Sequence, residues 1–293
     1  MIKVIASDMD GTLLDENHML TDRTAKAIKK AQDVGIHFII ATGRGYMSAM
    51  PLLKEKEIDC DYVAASGAEV RNSKGEIIQR NAMKKEDYIM AYELLEKYHL
   101  LYTIETDEYS CFIGSEEQLE ENMLQHMKVF YKTMSEEDIR KLPFFKLIMS
   151  RCKAFANFEE FVRADLEVTK LFSMSNDMEL LKKLGAELRE NPNLAVSSSF
   201  YDNLEITDVK AQKGIALKTY VESLGYTMDE VMVFGDSMND ESMLEMDFGA
   251  TIAMENAVDE IKVVVKYITK SNEEDGVAYA IEELLKSIEG RGL

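Results

Sequence analysis

Cysteine is scarce in this chain, with three residues among 293, namely Cys60, Cys111 and Cys152. They stand far apart, no Cys-x-x-Cys pair is present, and no cysteine and histidine have the spacing of zinc ligands. The sequence therefore supports neither a disulfide framework nor a structural zinc site.

Positive charge is also in short supply. Lys and Arg number 34 against 54 Asp and Glu, which gives a net charge of −20 and an isoelectric point of about 4.7. Nucleic acids and anionic lipids bind to dominant basic faces, so we expect neither nucleic acid nor membrane as a partner. If the substrate is an anion, a metal ion or a few well-placed cations must supply positive charge locally.

Long hydrophobic runs are absent, although hydrophobic residues make up 46% of the chain. The first apolar run, at 2–6, is interrupted by Ser7, Asp8 and Asp10, so it does not form the hydrophobic stretch of a signal peptide. No segment approaches the ~20 apolar residues of a membrane span. We therefore expect a folded, cytoplasmic protein with a substantial core.

Several short apolar runs end on a small polar or acidic residue and are followed by a turn. These runs are at 3–8, 37–42, 61–66 and 231–236, with similar runs at 249–254 and 263–269. Nearly continuous apolar runs are typical of parallel strands that are covered on both faces. The intervening segments 21–34, 213–224 and 276–288 have helical periodicity. The pattern predicts an α/β fold with a doubly wound, Rossmann-like parallel sheet.

The middle of the chain has a different pattern, with long amphipathic helices and short strands. One predicted helix covers 85–98, another begins after Ser115, and a hairpin is expected over 101–113. We therefore predict an α+β domain at 83–191, inserted into a core formed by 1–82 and 192–293.

The most informative segment is Asp8-Met-Asp10-Gly11-Thr-Leu-Leu, directly after the first predicted strand. Carboxylates at i and i+2 lie on the same side of an extended chain, and glycine allows a sharp turn. Such close like charges are unfavourable unless a cation lies between them or one carboxylate is protonated. On its own, this segment is better explained as an acidic loop that contains a helix-capping Asp.

Two further elements provide groups that bind anions. Thr42, Gly43 and Arg44 combine a hydroxyl, a glycine N–H and a guanidinium at the end of another predicted strand. Lys213 stands at the start of a predicted helix, where its ammonium adds to the positive end of the helix dipole. Each is a weak signal alone, because Thr-Gly turns and surface lysines at helix starts are common.

The fourth element is Gly235-Asp236-Ser-Met-Asn239-Asp240, again after an apolar run. Its two carboxylates suit a hard cation with oxygen ligands, and Mg²⁺ commonly takes one or two protein carboxylates. Three of the four elements lie at predicted strand ends and one at a helix start. In doubly wound sheets ligands bind at the carboxyl ends of the strands, so we expect one site there.

In these segments the chain resembles the phosphatases of the haloacid dehalogenase (HAD) superfamily, in the Cof-type branch with a class IIB cap. The matching segments are 8–14, 41–44, 213–214 and 235–240, and Asp275-Gly-Val-Ala278 also fits this branch. The sequence departs from the branch at Ser66, Lys210 and Glu255, outside the four main segments. The resemblance implies that 83–191 is the cap.

The resemblance also implies catalytic roles. Asp8 would be the nucleophile that forms an aspartyl-phosphate, and Asp10 the general acid and base. Mg²⁺ would be held by Asp8, by the backbone carbonyl of Asp10 and by Asp236. Asp240 would support the water shell of the metal or orient Lys213.

Phosphoryl oxygens would be bound by Thr42, Gly43, Arg44 and Lys213, and Asn239 would contact the substrate or its phosphate. The expected substrates are small phosphorylated metabolites, chiefly sugar phosphates. Two other functions remain open at this point. One is a phosphomutase or phosphotransferase on the same core, and the other is a non-catalytic protein that binds a phosphorylated metabolite.

Overall fold

The computed structural model of the protein describes residues 1–131, 133–199 and 202–290. Within these residues the chain forms two compact units. The first unit covers 1–81, 197–199 and 207–290, and the second unit covers 82–196 and 202–206. No helix in the described part of the chain has both the length and the apolar composition needed to span a bilayer.

Strands are distributed along the whole chain. In order they are β1 (Val4–Ser7), β2 (His37–Ala41), β3 (Asp61–Ala64), β4 (Glu69–Arg71), β5 (Ile77–Arg80), β6 (Leu101–Thr106), β7 (Ser110–Ile113), β8 (Cys152–Phe155), β9 (Val168–Met174), β10 (Leu194–Ser197), β11 (Asn203–Asp208), β12 (Val231–Gly235), β13 (Ala250–Ala253) and β14 (Tyr267–Ile268).

Helices connect most of these strands. They are α1 (Asp22–Asp33), α2 (Tyr46–Glu55), α3 (Lys85–Lys97), α4 (Glu116–Phe130), α5 (Glu136–Lys141), α6 (Pro143–Met149), α7 (Phe158–Arg163), α8 (Met178–Leu188), α9 (Lys213–Ser223), α10 (Glu241–Leu244), α11 (Asp259–Lys262) and α12 (Gly276–Glu289).

The first unit contains an eight-stranded sheet in the order β14-β13-β12-β1-β2-β3-β4-β5. The pairs from β14 to β3 are parallel, whereas β4 and β5 add an antiparallel edge. β1 lies at the centre, hydrogen-bonded to β2 and β12. The predicted α/β fold with a parallel core sheet is confirmed.

Both faces of this sheet are covered, as its apolar strands predict. Alternate side chains of β1 enter two different cores because successive strand residues point to opposite faces. Ile5 packs in the core that includes Ile28 of α1 and Ile281 of α12. Val4 packs in the core that includes Leu217 of α9, together with residues of α10 and α11.

The predicted helix boundaries are nearly those of the structure, but the predicted strand at 263–269 is wrong over most of its length. Helix α11 ends at Lys262, and only Tyr267–Ile268 form a strand, at the edge of the sheet. Val263 is 80% exposed. An apolar run therefore does not always form a buried strand. Here the run follows a short helix at the edge of the sheet, and most of it lies outside the strand.

The second unit contains a six-stranded sheet in the order β10-β11-β9-β6-β7-β8. The predicted hairpin is present, with β6 antiparallel to β7, and Ser115 caps α4 with the predicted capping box. Residues 202–206 belong to this unit, beyond the boundary expected at 192, because β11 pairs with β9 in the same sheet. Side chains of α3 and α8 share an apolar core with the sheet.

Candidate active site

Three neighbouring parallel strands end beside one another in the first unit. Asp8 follows β1, Thr42 follows β2 and Asp236 follows β12. The carboxyl ends of adjacent parallel strands meet at one edge of a sheet, which brings these loops together. The first turn of α9 places Lys213 beside the same loops, because its ammonium contacts Asp8.

Lys213 lies between two buried carboxylates. Its Nζ donates to Asp8 Oδ1 and to Asp240 Oδ1, each at 2.7 Å. Burial opposes the charge of this ammonium, but Asp240 and Asp8 outweigh it and hold the pKa of Lys213 above its usual range. The second oxygen of Asp240 accepts the backbone N–H groups of Asp236 (3.0 Å) and Ser237 (3.2 Å). Asp240 is therefore held in place and in turn fixes the ammonium.

Three carboxylates form a compact cluster. One oxygen from each of Asp8, Asp236 and Asp240 can be chosen so that all lie within 4.8 Å of one another. Burial and the charge of Asp240 raise the pKa of Asp8 above its ordinary range, and the same two causes raise the pKa of Asp236 to about 7. A single ammonium thus leaves negative charge in excess. This donor set fits a hard divalent cation such as Mg²⁺.

The turn after Asp8 supports Asp236. The Thr12 hydroxyl donates to Asp236 Oδ1 at 2.6 Å. Gly11 has φ of +79°, a conformation that favours glycine, and a Cβ at this position would lie 2.5 Å from the Asp236 carboxylate and displace it. Thr12 stands within the first motif but was not among the residues predicted to form the site.

Asp10 faces a different group of side chains. Arg44 donates to both carboxylate oxygens of Asp10, at 2.7 and 2.5 Å, and His18 Nδ1 lies 3.0 Å from Asp10 Oδ1. Burial on its own would raise the pKa of Asp10, but hydrogen bonds from His18 and Arg44 hold this pKa well below its usual range. His18 carries no motif signal in the sequence, and only the fold brings it to Asp10.

The remaining residues expected at the site lie on the same loops. Thr42 is buried, and its Oγ1 accepts the backbone N–H of Arg44 at 3.1 Å. Gly43 lies between them and is partly buried. Asn239 is also partly buried, and its Oδ1 accepts the Ser237 hydroxyl at 3.0 Å.

Residues 5–281 match the family described as haloacid dehalogenase-like hydrolase. A 5-amino-6-(5-phospho-D-ribitylamino)uracil phosphatase of Bacillus subtilis, YwtE, is 32% identical over 97% of this chain and 98% of its own length. The pyridoxal phosphate phosphatase YbhA of Escherichia coli is 26% identical over 95% of this chain and 97% of its own.

Solved structures agree with these sequence relationships. A haloacid dehalogenase-like hydrolase from Bacillus subtilis superposes with a TM-score of 0.83 at 26% identity, over 97% of this chain and 100% of that one. A HAD subclass IIB sugar phosphatase has the same fold, with a TM-score of 0.74 at 23% identity over 96% and 98% of the two chains. The expected phosphatase class is confirmed, and the chain belongs to the haloacid dehalogenase-like hydrolase family.

Proposed function

We propose that the protein is a Mg²⁺-dependent phosphatase that hydrolyses small phosphorylated metabolites through an aspartyl-phosphate on Asp8. The observation that carries this proposal is the position of the Lys213 ammonium, 2.7 Å from Asp8 within a cluster of three carboxylates. An anionic nucleophile can approach an anionic phosphate only where fixed positive charge offsets their repulsion. Lys213 and a cation bound by the cluster would provide that charge.

In the first step a carboxylate oxygen of Asp8 attacks phosphorus, and the bond from phosphorus to the ester oxygen breaks. The leaving oxygen takes a proton from Asp10. In the second step water attacks the phosphoryl group on Asp8 and gives a proton to Asp10, which releases inorganic phosphate and regenerates Asp8.

The transferred phosphoryl group needs donors for its oxygens. Lys213 is suited to this role, as is the backbone N–H of Gly43. The Thr42 hydroxyl oxygen accepts the Arg44 N–H, which leaves the hydroxyl proton available to a phosphoryl oxygen. Asn239, on the loop after β12, is proposed to contact the substrate.

Asp10 has two roles that require opposite protonation states. Its contacts with Arg44 and His18 favour the ionised carboxylate, which is the form needed to activate water. The same contacts oppose protonation, which the departure of the leaving group requires. We infer that these contacts lengthen without breaking when a substrate is bound, so that Arg44 still orients Asp10 during proton transfer and acts mainly through it.

The metal would be held by the carboxylates of Asp8 and Asp236 and by the backbone carbonyl of Asp10. Asp240, whose oxygens are already hydrogen-bonded to Lys213 and to two backbone N–H groups, would act on the water shell. Bound Mg²⁺ would neutralise phosphoryl charge.

The names of the relatives suggest substrate classes. Phosphorylated polyols and sugars come first, and pyridoxal phosphate is a further candidate, because YwtE and YbhA are named for such esters. We propose that the second unit, as the cap that the resemblance implies at 83–191, selects among these esters.

The test is phosphate release from a panel of metabolites, with Mg²⁺ and with the Asp8→Asn variant as control. The panel includes sugar phosphates, pyridoxal phosphate, flavin mononucleotide and 5-amino-6-(5-phospho-D-ribitylamino)uracil. We expect release from at least one ester by the wild type and none by Asp8→Asn. Transfer of the phosphoryl group to a labelled sugar instead of water would indicate a phosphomutase, and retained binding without turnover would indicate a non-catalytic protein.

A further inference from the structure

Two asparagine side chains hold the turn that follows the proposed nucleophile. Asn256 Nδ2 donates to the Gly11 carbonyl at 2.8 Å, and Asn272 Nδ2 donates to the Leu14 carbonyl at 2.9 Å. Gly11 lies in the middle of the irregular turn at Met9–Leu13, and Leu14 directly follows that turn. Two side chains that are distant in the sequence therefore hydrogen-bond to the backbone of this turn and of the residue that follows it.

The two asparagines are also joined to each other. The backbone N–H of Asn272 donates to Asn256 Oδ1 at 3.0 Å. Three hydrogen bonds thus run from Gly11 through Asn256 and Asn272 to Leu14. We call Asn256 and Asn272 the asparagine pair.

The loop that carries Asn256 contacts the other half of the site as well. Following β13, this loop donates the Val258 N–H to the Asp236 carbonyl at 2.9 Å. Asp236 in turn accepts the Thr12 hydroxyl through its side chain. One short loop therefore links the turn after Asp8 with the backbone of Asp236.

We propose that the asparagine pair positions the turn at Gly11 and Thr12, and through it the Asp236 carboxylate, for binding of the metal. The proposal rests on the proposed function, since it assigns these residues to the same site. Gly11 lies close to the Asp236 carboxylate, since a Cβ at this position would be 2.5 Å from its Oδ2, and Thr12 donates to its Oδ1 at 2.6 Å. A shift of this turn would therefore move the Asp236 carboxylate. Groups that orient metal ligands typically change metal affinity about 10–100-fold when they are removed.

The structure also indicates that the pair can be altered without unfolding the protein. Asn256 is exposed and Asn272 is partly exposed, so replacement by alanine removes hydrogen bonds without opening a cavity in either core. Asn72 provides a matched control. It is an asparagine whose Nδ2 donates to Glu76 in a surface turn between β4 and β5.

The experiment measures Mg²⁺ binding by isothermal titration calorimetry for the wild type, Asn256→Ala, Asn272→Ala and Asn72→Ala, together with kcat and KM. We expect the Mg²⁺ Kd to rise about tenfold or more in Asn256→Ala, with most of kcat restored at saturating Mg²⁺. Asn72→Ala should equal the wild type. Melting temperatures in EDTA should agree among all four proteins. This agreement would show that the rise in the Mg²⁺ Kd does not come from loss of the folded structure.

A double-mutant cycle makes the test specific. Because Asn256 and Thr12 would act through one turn, the combined effect of Asn256→Ala and Thr12→Val on the Mg²⁺ Kd should be smaller than the sum of the single effects. A wild-type Kd in Asn256→Ala, or strictly additive effects, would overturn the role of the pair. Absence of Mg²⁺ binding by the wild type would contradict the proposed function instead.

Discussion

The guanidinium group of Arg44 makes a bidentate contact with the carboxylate of Asp10, Nε to Oδ2 at 2.7 Å and Nη2 to Oδ1 at 2.5 Å. Paired hydrogen bonds of this kind fix both the position and the orientation of a carboxylate. From the sequence, Arg44 is expected among the groups that bind the phosphoryl oxygens. We propose from its contact with Asp10 that it also acts in proton transfer to the leaving group.

Replacement of Arg44 by methionine should therefore affect substrates unequally. We expect kcat/KM for an alkyl phosphate to fall about tenfold or more relative to p-nitrophenyl phosphate, whose leaving group needs little protonation. General acid catalysis is commonly worth ~10²–10⁴ in rate, and loss of positioning should forfeit part of it. Parallel assays with the two esters measure this ratio.

Arg71→Met is the matched control, because Arg71 pairs with Glu69 on β4. In Arg71→Met, the ratio of kcat/KM for the alkyl phosphate to kcat/KM for p-nitrophenyl phosphate should equal that of the wild type. An equal loss with both esters in Arg44→Met would show that Arg44 acts on the phosphoryl group and not through Asp10.

Magnesium should stabilise the folded protein, since the carboxylate cluster carries more negative charge than Lys213 offsets. A ligand that binds only the folded state at 100 times its Kd adds about 2.7 kcal/mol to the free energy of unfolding. We therefore expect the melting temperature to rise with added MgCl₂ and to return to its starting value with excess EDTA. Activity should also vanish in excess EDTA. Full activity in EDTA would exclude the proposed role of the metal.

The Asp236→Asn variant should be more stable than the wild type in the absence of metal. Burial and Asp240 raise the pKa of Asp236 to about 7 from an ordinary value of ~3.9, so the folded state disfavours the ionised form. The resulting loss in free energy of unfolding is absent below the unfolded-state pKa, grows as the pH rises towards 7 and reaches its full size above pH 7. Asparagine removes the charge, and its Oδ1 still accepts the Thr12 hydroxyl.

Urea denaturation in EDTA measures this effect. We expect Asp236→Asn to exceed the wild type by roughly 1–3 kcal/mol in free energy of unfolding at pH 8, and by less at pH 6. Added Mg²⁺ should stabilise the wild type and not the variant. A variant that is less stable than the wild type at pH 8 would contradict the described charge balance of the cluster.

The general position of the site could be predicted from the sequence because it depends on local patterns. Apolar runs ending in Asp8, Thr42 and Asp236 predict strands, and adjacent parallel strands bring their ends together whatever else the chain does. The start of α9 at Lys213 follows in the same way from helical periodicity. These features need no knowledge of which distant side chains meet.

The contacts that tune the site could not be predicted, because they join residues without local patterns. His18 contacts Asp10 because of the path of the loop that follows the first motif, and no local pattern predicts that path. Asn256 contacts Gly11 because β13 lies next to β12, whereas its neighbours in the sequence indicate only a turn. Apolar patterning also failed at 263–269, since exposure at the sheet edge depends on the neighbouring elements.

The central claim, that Asp8 is the nucleophile and Asp10 the proton-transfer group, is tested most directly by trapping the phosphoenzyme. The Asp10→Asn variant keeps the Asp8 carboxylate and should still react with p-nitrophenyl phosphate, while it lacks the base that activates water. After rapid acid quench and proteolysis, mass spectrometry should find the phosphoryl group on Asp8 of this variant and on no residue of Asp8→Asn. A phosphoryl group on any other residue, or none in Asp10→Asn while turnover continues, would contradict the account.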